Sequence, residues 1–306
     1  MDQFCRTESL DAGEPVAGSA AGQTDVWLAL EYDAPWGPKA VADARLPDAV
    51  TSHLLAVPSL VPGARVQLIR RASKLEARES ITLFVGVSSL VRPAMVRFEL
   101  PSYEALLELN LPQIVVALRS GVAVQGATPL DKPLVLVCTN GKRDRCCAKW
   151  GLPIYADLAD RDEVECWQTT HLGGHRFAPT LLTLPDGLCY GRLGCEDLDG
   201  LVAAMTAGEV FDPGRTLRGR TCLSGAGQAA EVAWRVETGE FKVAALQTVQ
   251  EVPQEAGVLV TLGEASGTTY TVTVEKRTLE AVAHPSCAKA AGPVSGRFAS
   301  EVGLSR

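Results

Sequence analysis

The chain has 306 residues, of which 46% are hydrophobic and 21% are charged, and its net charge is −7. This composition is typical of a globular protein, and the acidic balance argues against a nucleic-acid partner, which usually requires a basic surface. The chain opens without a basic segment followed by an apolar core, and no apolar run reaches the roughly 18 residues of a membrane span. With these features, nine cysteines predict reduced thiols or metal ligands in a cytoplasmic protein that has no membrane partner.

After a loose lead-in over residues 1–24, the first half of the chain shows a mixture of strand and helix patterns. The predicted order is strand, helix, three strands and a final helix. These elements are a strand at 26–33, a helix at 47–61 broken at Pro58, strands at 64–71, 80–87 and 94–100, and a helix at 103–121.

The second half repeats this order of elements. They are a strand at 133–138, a helix at 147–161, strands at 164–171, 178–185 and 188–193, and a helix at 197–208. The same order seen twice suggests diverged tandem copies of one unit. The order is that of a thioredoxin-like lobe, so we predict an α/β fold with two such lobes in tandem.

In thioredoxin-like folds the chemistry lies in the loop between the first strand and the first helix. A helix N-terminus in that position stabilises negative charge, such as that of a thiolate. In the second copy the loop reads TNGKRDRCC, whereas the first copy has APWGPKA, which contains no cysteine. We therefore expect the second lobe to carry the function and the first to be a structural or docking partner.

The pattern changes after about residue 214. A basic, glycine-rich connector leads to a helix at 228–237, a hairpin of two strands at 258–263 and 268–277, and an irregular tail. We predict three domains. They are a degenerate thioredoxin-like lobe over 1–125, a functional lobe over 126–222 and a small α+β module over 223–306.

Two pairs of ligand-type residues lie in the second copy. Cys138 and Cys147 have eight residues between them, and His171 and His175 have three. Thiolate and imidazole are ligands for zinc, copper and iron–sulfur clusters. Two of only four histidines are thus close together in a glycine-containing loop. We interpret the other positions as buried apolar or hydrogen-bonded residues, namely Cys5, Cys166, Cys189, Cys195, Cys222, Cys287, His53 and His284.

Three kinds of centre compete for these residues. One is a zinc site that stabilises a binding module, although structural zinc sites usually space their cysteines about two to four residues apart. Another is a thiol–disulfide oxidoreductase that uses Cys138, Cys146 and Cys147, but adjacent cysteines do not form a CxxC active site. The third is a [2Fe–2S] cluster, for which two thiolates and two imidazoles are precedented in Rieske centres. A wide loop with cysteines at both ends favours this larger centre.

The segments VCTNGKRDRCCA and HLGGHRFA resemble the sucrase/ferredoxin-like family, and so do WLALEYDAPWGPKA and LRGRTC. The resemblance covers most of residues 1–222. It implies a thioredoxin-like ferredoxin whose [2Fe–2S] cluster is bound by Cys138, Cys147, His171 and His175, with Cys146 as the alternate second thiolate. We see no paired-carboxylate site of glycosidase type that would account for the first half of the family's name.

Such a centre would make the protein a one-electron carrier rather than an enzyme with its own substrate. Two neutral imidazoles should raise the potential toward the Rieske range of about −150 to +300 mV. A ligating imidazole can also lose its outer proton on oxidation, which would couple electron transfer to proton transfer. The partners would be a reductase donor and an unidentified acceptor. Lys142, Arg143 and Arg145 either offset the charge of the cluster or dock an acidic partner, or they are solvated loop charges.

Overall fold

The computed structural model describes residues 4–71 and 80–305, which contain six α-helices, a ten-stranded sheet and a five-stranded sheet. The helices are α1 (Cys5–Asp11), α2 (Asp48–Leu60), α3 (Leu111–Ser120), α4 (Arg145–Ala159), α5 (Leu198–Thr206) and α6 (Gly225–Thr238). The larger sheet contains β1 (Val26–Glu31), β2 (Ala64–Arg70), β3 (Ile81–Val87), β4 (Ala94–Leu100), β5 (Thr128–Pro129), β6 (Leu134–Cys138), β7 (Glu165–Thr169), β8 (Thr180–Leu184), β9 (Leu188–Gly191) and β10 (Leu217–Arg220). The smaller sheet contains β11 (Leu246–Gln254), β12 (Gly257–Glu264), β13 (Thr269–Ala283), β14 (Gly292–Ala299) and β15 (Gly303–Ser305).

The two halves of the larger sheet have the same topology. In the first half β1 is parallel to β2 and antiparallel to β3, which pairs with β4. In the second half β6 is parallel to β7 and antiparallel to β8, which pairs with β9. The halves join where β2 and β7 run antiparallel, and one continuous sheet results. The predicted α/β class and the tandem order of elements are confirmed.

Strand β6 is apolar along its whole length, and β1 is apolar except for its last residue, Glu31, because both faces of these central strands are covered. Every residue of β1 and of β6 is buried. Successive side chains of a strand point to opposite faces, so Leu134, Leu136 and Cys138 share one face of β6. This face joins Trp27 and Ala29 of β1 in one apolar cluster. Cys138 therefore lies on the face of the sheet whose apolar cluster includes residues of both halves.

The N-terminal lead-in and α2 differ from the prediction. The lead-in contains α1, which packs on the second half, where Arg6 Nε donates to the Ala178 carbonyl oxygen over 2.5 Å. Helix α2 runs through Pro58 without a break, since this residue lies in its last turn. The predicted boundaries of the three domains, after residues 125 and 222, remain predictions.

The C-terminal module is richer in strands than predicted. It is a five-stranded antiparallel sheet in which β11 and β14 accompany the predicted hairpin. Strand β11 is an exposed edge strand that contains Pro253, so its sequence has little of the alternation that marks a half-buried strand. Within residues 4–71 and 80–305, no helix combines the length and the apolar character needed to cross a membrane.

Candidate metal centre

Cys138 and Cys147 come together because α4 starts immediately beside the end of β6. Asp144 caps this helix, and its Oδ1 accepts a hydrogen bond from the Cys146 amide over 2.9 Å. One turn further along, a Cβ on Gly151 would lie only 2.2 Å from the Cys138 carbonyl oxygen. Only glycine permits this approach, which places the first turn of α4 against the strand end.

The histidine loop follows β7 and turns through two glycines. Gly173 and Gly174 have φ values of +97° and +70°, in the left-handed region that favours glycine. This turn returns the chain so that His171 and His175 stack, with ring centroids 4.9 Å apart.

Two arginines from outside the loop bind its carbonyl oxygens. Arg65 on β2 donates to the carbonyl oxygens of His171, over 2.7 Å, and Leu172, over 3.1 Å. Arg218 on β10 is 1% exposed and donates to the Gly173 carbonyl oxygen over 2.9 Å. The first half of the sheet thus helps to hold the loop. The sequence did not predict a role for either arginine. Arg218 lies in the segment LRGRTC, which contributed to the family resemblance.

The predicted ligands converge at this point. His171 Nδ1 lies 3.8 Å from Cys138 Sγ and 3.6 Å from Cys147 Sγ. The ligand atoms of these three residues all lie within 4.8 Å of one another. His175 lies next to this three-residue group, with its Nδ1 3.3 Å from His171 Nε2. These residues form a Cys/His group that could hold a metal.

The electrostatics of Cys138 favour its thiolate. A hydrogen bond from the Cys147 thiol, aided by the His171 imidazole, holds the pKa of Cys138 well below its ordinary value although the residue is fully buried. A thiolate is the form of cysteine that binds metals. Cys138 therefore favours the charge state that binds a metal cation.

His175 is oriented by groups on its outer side. Its Nε2 lies 2.8 Å from the Pro285 carbonyl oxygen and 3.8 Å from Asp144 Oδ2. Burial lowers the pKa of His175, although Asp144 opposes this effect, so the imidazole is neutral at neutral pH. In the tautomer that satisfies the carbonyl, Nε2 carries the proton and Nδ1 presents a lone pair toward His171.

Cys146 lies in a different environment from its neighbour Cys147. Its Sγ is 3.4 Å from that of Cys5 and 3.3 Å from that of Cys287, and the Cys5 and Cys287 sulfurs are 3.6 Å apart. A hydrogen bond from Cys5 lowers the pKa of Cys146 to about 7. The structure thus corrects the interpretation of Cys5 and Cys287 as isolated buried residues. No sequence signal revealed the group, because 141 positions separate Cys146 from each of them.

The other predicted positions lie apart from these two groups. Lys142 and Arg143 are exposed on the loop before α4, and Arg145 is exposed as the first residue of that helix. His53 lies on α2, and His284 Nδ1 contacts Glu8 Oε2 at 2.7 Å.

The chain matches one family model over most of its length. A family model described as Sucrase/ferredoxin-like matches residues 17–219, more than half of the chain. The matched region contains all four predicted ligands and Cys146, whereas Cys5 and Cys287 lie outside it. No curated protein and no solved structure gives a significant match.

Gly151→Ala should destabilise the protein, because the new methyl group would force α4 away from the Cys138 carbonyl. We expect a loss of about 1–3 kcal/mol in the free energy of unfolding. Gly292→Ala is the matched control, since a Cβ there meets no atom within 4 Å. Urea unfolding should show a lower midpoint for Gly151→Ala alone. Equal midpoints for the two variants would contradict the close packing of α4 on β6.

Proposed function

Because the chain belongs to the sucrase/ferredoxin-like family, we propose that it is a one-electron carrier with a [2Fe–2S] cluster bound by Cys138, Cys147, His171 and His175. Family membership suggests a redox role, and the Cys/His group supplies a place for a metal. When bound, such a cluster supplies a one-electron redox couple. The observation that carries the proposal is the convergence of two thiols and an imidazole within 4.8 Å, with a second imidazole stacked beside them.

The donor set fits this cofactor in its chemistry. Cluster binding needs deprotonated thiols and neutral imidazoles. The Cys147 thiol donates to Cys138, which lowers the pKa of Cys138 and raises that of Cys147, so one thiolate is favoured beforehand and the metal would displace the proton of the other. Burial keeps His175 neutral. The Pro285 carbonyl and Asp144 lie on the outer side of His175, as outer hydrogen-bond acceptors do for ligating histidines.

The second thiolate in this proposal is Cys147 rather than Cys146. Cys147 Sγ lies 3.6 Å from His171 Nδ1, whereas Cys146 Sγ contacts the sulfurs of Cys5 and Cys287. Neighbouring residues of a helix project in directions about 100° apart, so one metal centre does not use both.

A zinc-stabilised binding module is the second candidate function. Three converging donors, Cys138, Cys147 and His171, would also suit one tetrahedral zinc ion. Thiol–disulfide exchange is less well supported. A reactive thiolate must be accessible, yet Cys138, Cys146 and Cys147 are all at most 1% exposed.

The proposed partners are redox proteins, a reductase as donor and an acceptor yet to be identified. Lys142, Arg143 and Arg145 form an exposed basic surface on the loop between Cys138 and Cys147. This surface is opposite in sign to the net charge of −7 and would orient an acidic partner toward the centre. We place the carrier in the cytoplasm, where reducing conditions would keep all nine cysteines free.

Docking of this kind should weaken as salt screens the basic surface. Replacing Lys142 and Arg143 together by Ala should slow electron transfer from an acidic reductase at low ionic strength. The double variant Lys276→Ala, Arg277→Ala, on β13, changes the net charge equally and serves as the control. Transfer rates that are independent of salt, or equal in the two double variants, would exclude this surface as the docking site.

Protein purified without air should be brown and should give a rhombic EPR signal on reduction. His171→Ala and His175→Ala should each bleach the visible absorption, because each removes a ligand. His53→Ala on α2 is the matched control and should retain the spectrum. Colourless protein with zinc bound to Cys138 and Cys147 would favour the zinc module and reject the electron carrier.

The reduction potential should depend on pH through the imidazoles. A ligating imidazole would lose its outer proton more readily in the oxidised protein than in the reduced one. Where this happens, reduction takes up the proton, so the potential should fall by about 59 mV per pH unit. Protein-film voltammetry from mildly acidic to strongly alkaline pH measures this slope. A potential that stays constant across the range would rule out proton coupling.

A further inference from the structure

We propose that Cys5, Cys146 and Cys287, together with Asp144, form a second metal site that binds one zinc ion. The four residues have ligand atoms that all lie within 4.8 Å of one another. They come from three distant parts of the chain. Cys5 begins α1, Asp144 and Cys146 lie at the N-terminus of α4, and Cys287 is in the loop between β13 and β14. The site lies beside the proposed cluster site but uses none of its ligands.

The sulfur positions are close to those of a tetrahedral zinc site. The three Sγ–Sγ distances are 3.3, 3.4 and 3.6 Å. Zinc–sulfur bonds of about 2.3 Å in a tetrahedron place two sulfurs about 3.8 Å apart. A small outward movement of the thiols would therefore admit the ion. All three sulfurs are free thiols, and each separation is far longer than a disulfide bond of about 2.05 Å.

Asp144 is positioned to supply the fourth ligand. Its Oδ1 accepts from the Cys146 amide over 2.9 Å, and its Oδ2 accepts from the Cys287 amide over 2.8 Å. These two bonds fix the carboxylate relative to two of the three thiols. Each carboxylate oxygen can accept more than one bond, so a lone pair remains for a metal.

The chemistry and the burial of the four ligands favour zinc over magnesium and calcium. Cys5, Cys146 and Asp144 are between 0% and 5% exposed, and burying several acidic groups together is costly unless a cation compensates them. Three thiolates exclude magnesium and calcium, which prefer oxygen ligands. A carboxylate as the fourth ligand suits zinc, which binds sulfur and oxygen alike.

A zinc ion here would fasten α1 and the C-terminal module to the loop of the proposed cluster. Asp144 Oδ2 lies 3.8 Å from His175 Nε2, and Pro285, two residues before Cys287, supplies the carbonyl near the same nitrogen. The zinc site would therefore fix the outer partners of His175. Cys5 and Cys287 lie outside the residues that match the family model, so the site does not follow from family membership.

Measuring iron and zinc by mass spectrometry in the purified chain of 306 residues tests the proposal. Wild-type protein should contain one zinc per chain. Cys5→Ser and Cys287→Ser should lose the zinc, whereas Cys195→Ser, at an exposed cysteine, should retain it. Zinc that remains in Cys5→Ser and Cys287→Ser would overturn the proposal. So would wild-type protein that, after treatment with a chelator, does not take up one equivalent of added Zn²⁺.

Binding of Co²⁺ is a second test, which applies even if Cys5→Ser or Cys287→Ser does not fold. In the double variant Cys138→Ser, Cys147→Ser the proposed cluster site is disabled, so added Co²⁺ reports on the second site alone. We expect Co²⁺ bound at the second site to show the visible absorption of a tetrahedral ion, together with charge-transfer bands from the thiolates. Absence of these bands, or a disulfide among Cys5, Cys146 and Cys287 found by mass spectrometry, would overturn the zinc site. Wild-type protein that contains zinc but no iron would instead reject only the cluster.

Discussion

The candidate metal centre depends on the close approach of α4 to the end of β6. Where the helix crosses the strand, Gly151 leaves space for the Cys138 carbonyl oxygen, and a Cβ would lie 2.2 Å from that atom. This contact places the first turn of α4 next to Cys138, so that residues separated by a long loop in sequence become neighbours. Asp144 then fixes where the helix begins. Without this approach, Cys138 and Cys147 would not face the same imidazole.

The first half of the duplicated sheet helps to position the histidine loop. The first half contains no cysteine in its corresponding loop, yet Arg65 on β2 binds two carbonyl oxygens of the histidine loop. This contact is possible because β2 pairs with β7, the strand that leads into the loop. Arg218 approaches from β10, the edge strand of the second half of the sheet. The degenerate copy therefore has a physical role in holding the histidines.

Adjacent cysteines at the start of α4 serve two separate groups. Because side chains of neighbouring helical residues point in different directions, Cys147 faces Cys138 and His171 while Cys146 faces Cys5 and Cys287. Asp144 of the second group and His175 of the proposed cluster site lie next to each other, with Oδ2 and Nε2 3.8 Å apart. One short segment of chain thus connects α1, the histidine loop and the C-terminal module.

Much of the fold could be predicted from local patterns, whereas long-range pairings could not. Buried central strands such as β1 and β6 are almost entirely apolar, and the repeated order of elements indicated two copies. The edge strand β11 was missed because its exposed sequence has little alternation. The four predicted ligands could be recognised because the members of each pair lie close together in sequence. The pairs are Cys138 with Cys147 and His171 with His175. The Cys5 and Cys287 contacts were invisible because only the packing of α1 and the C-terminal module brings them to Cys146.

The central claim is that two imidazoles and two thiolates bind one iron–sulfur cluster. Pulsed EPR of the reduced protein, prepared with ¹⁵N-labelled histidine, tests this most directly, because only a nitrogen bound to iron couples strongly to the unpaired electron. Our account predicts two strongly coupled histidine nitrogens, and one of them should disappear in His175→Ala wherever a cluster survives. A cluster signal without strongly coupled nitrogen, or anaerobic protein without any iron signal, would contradict it.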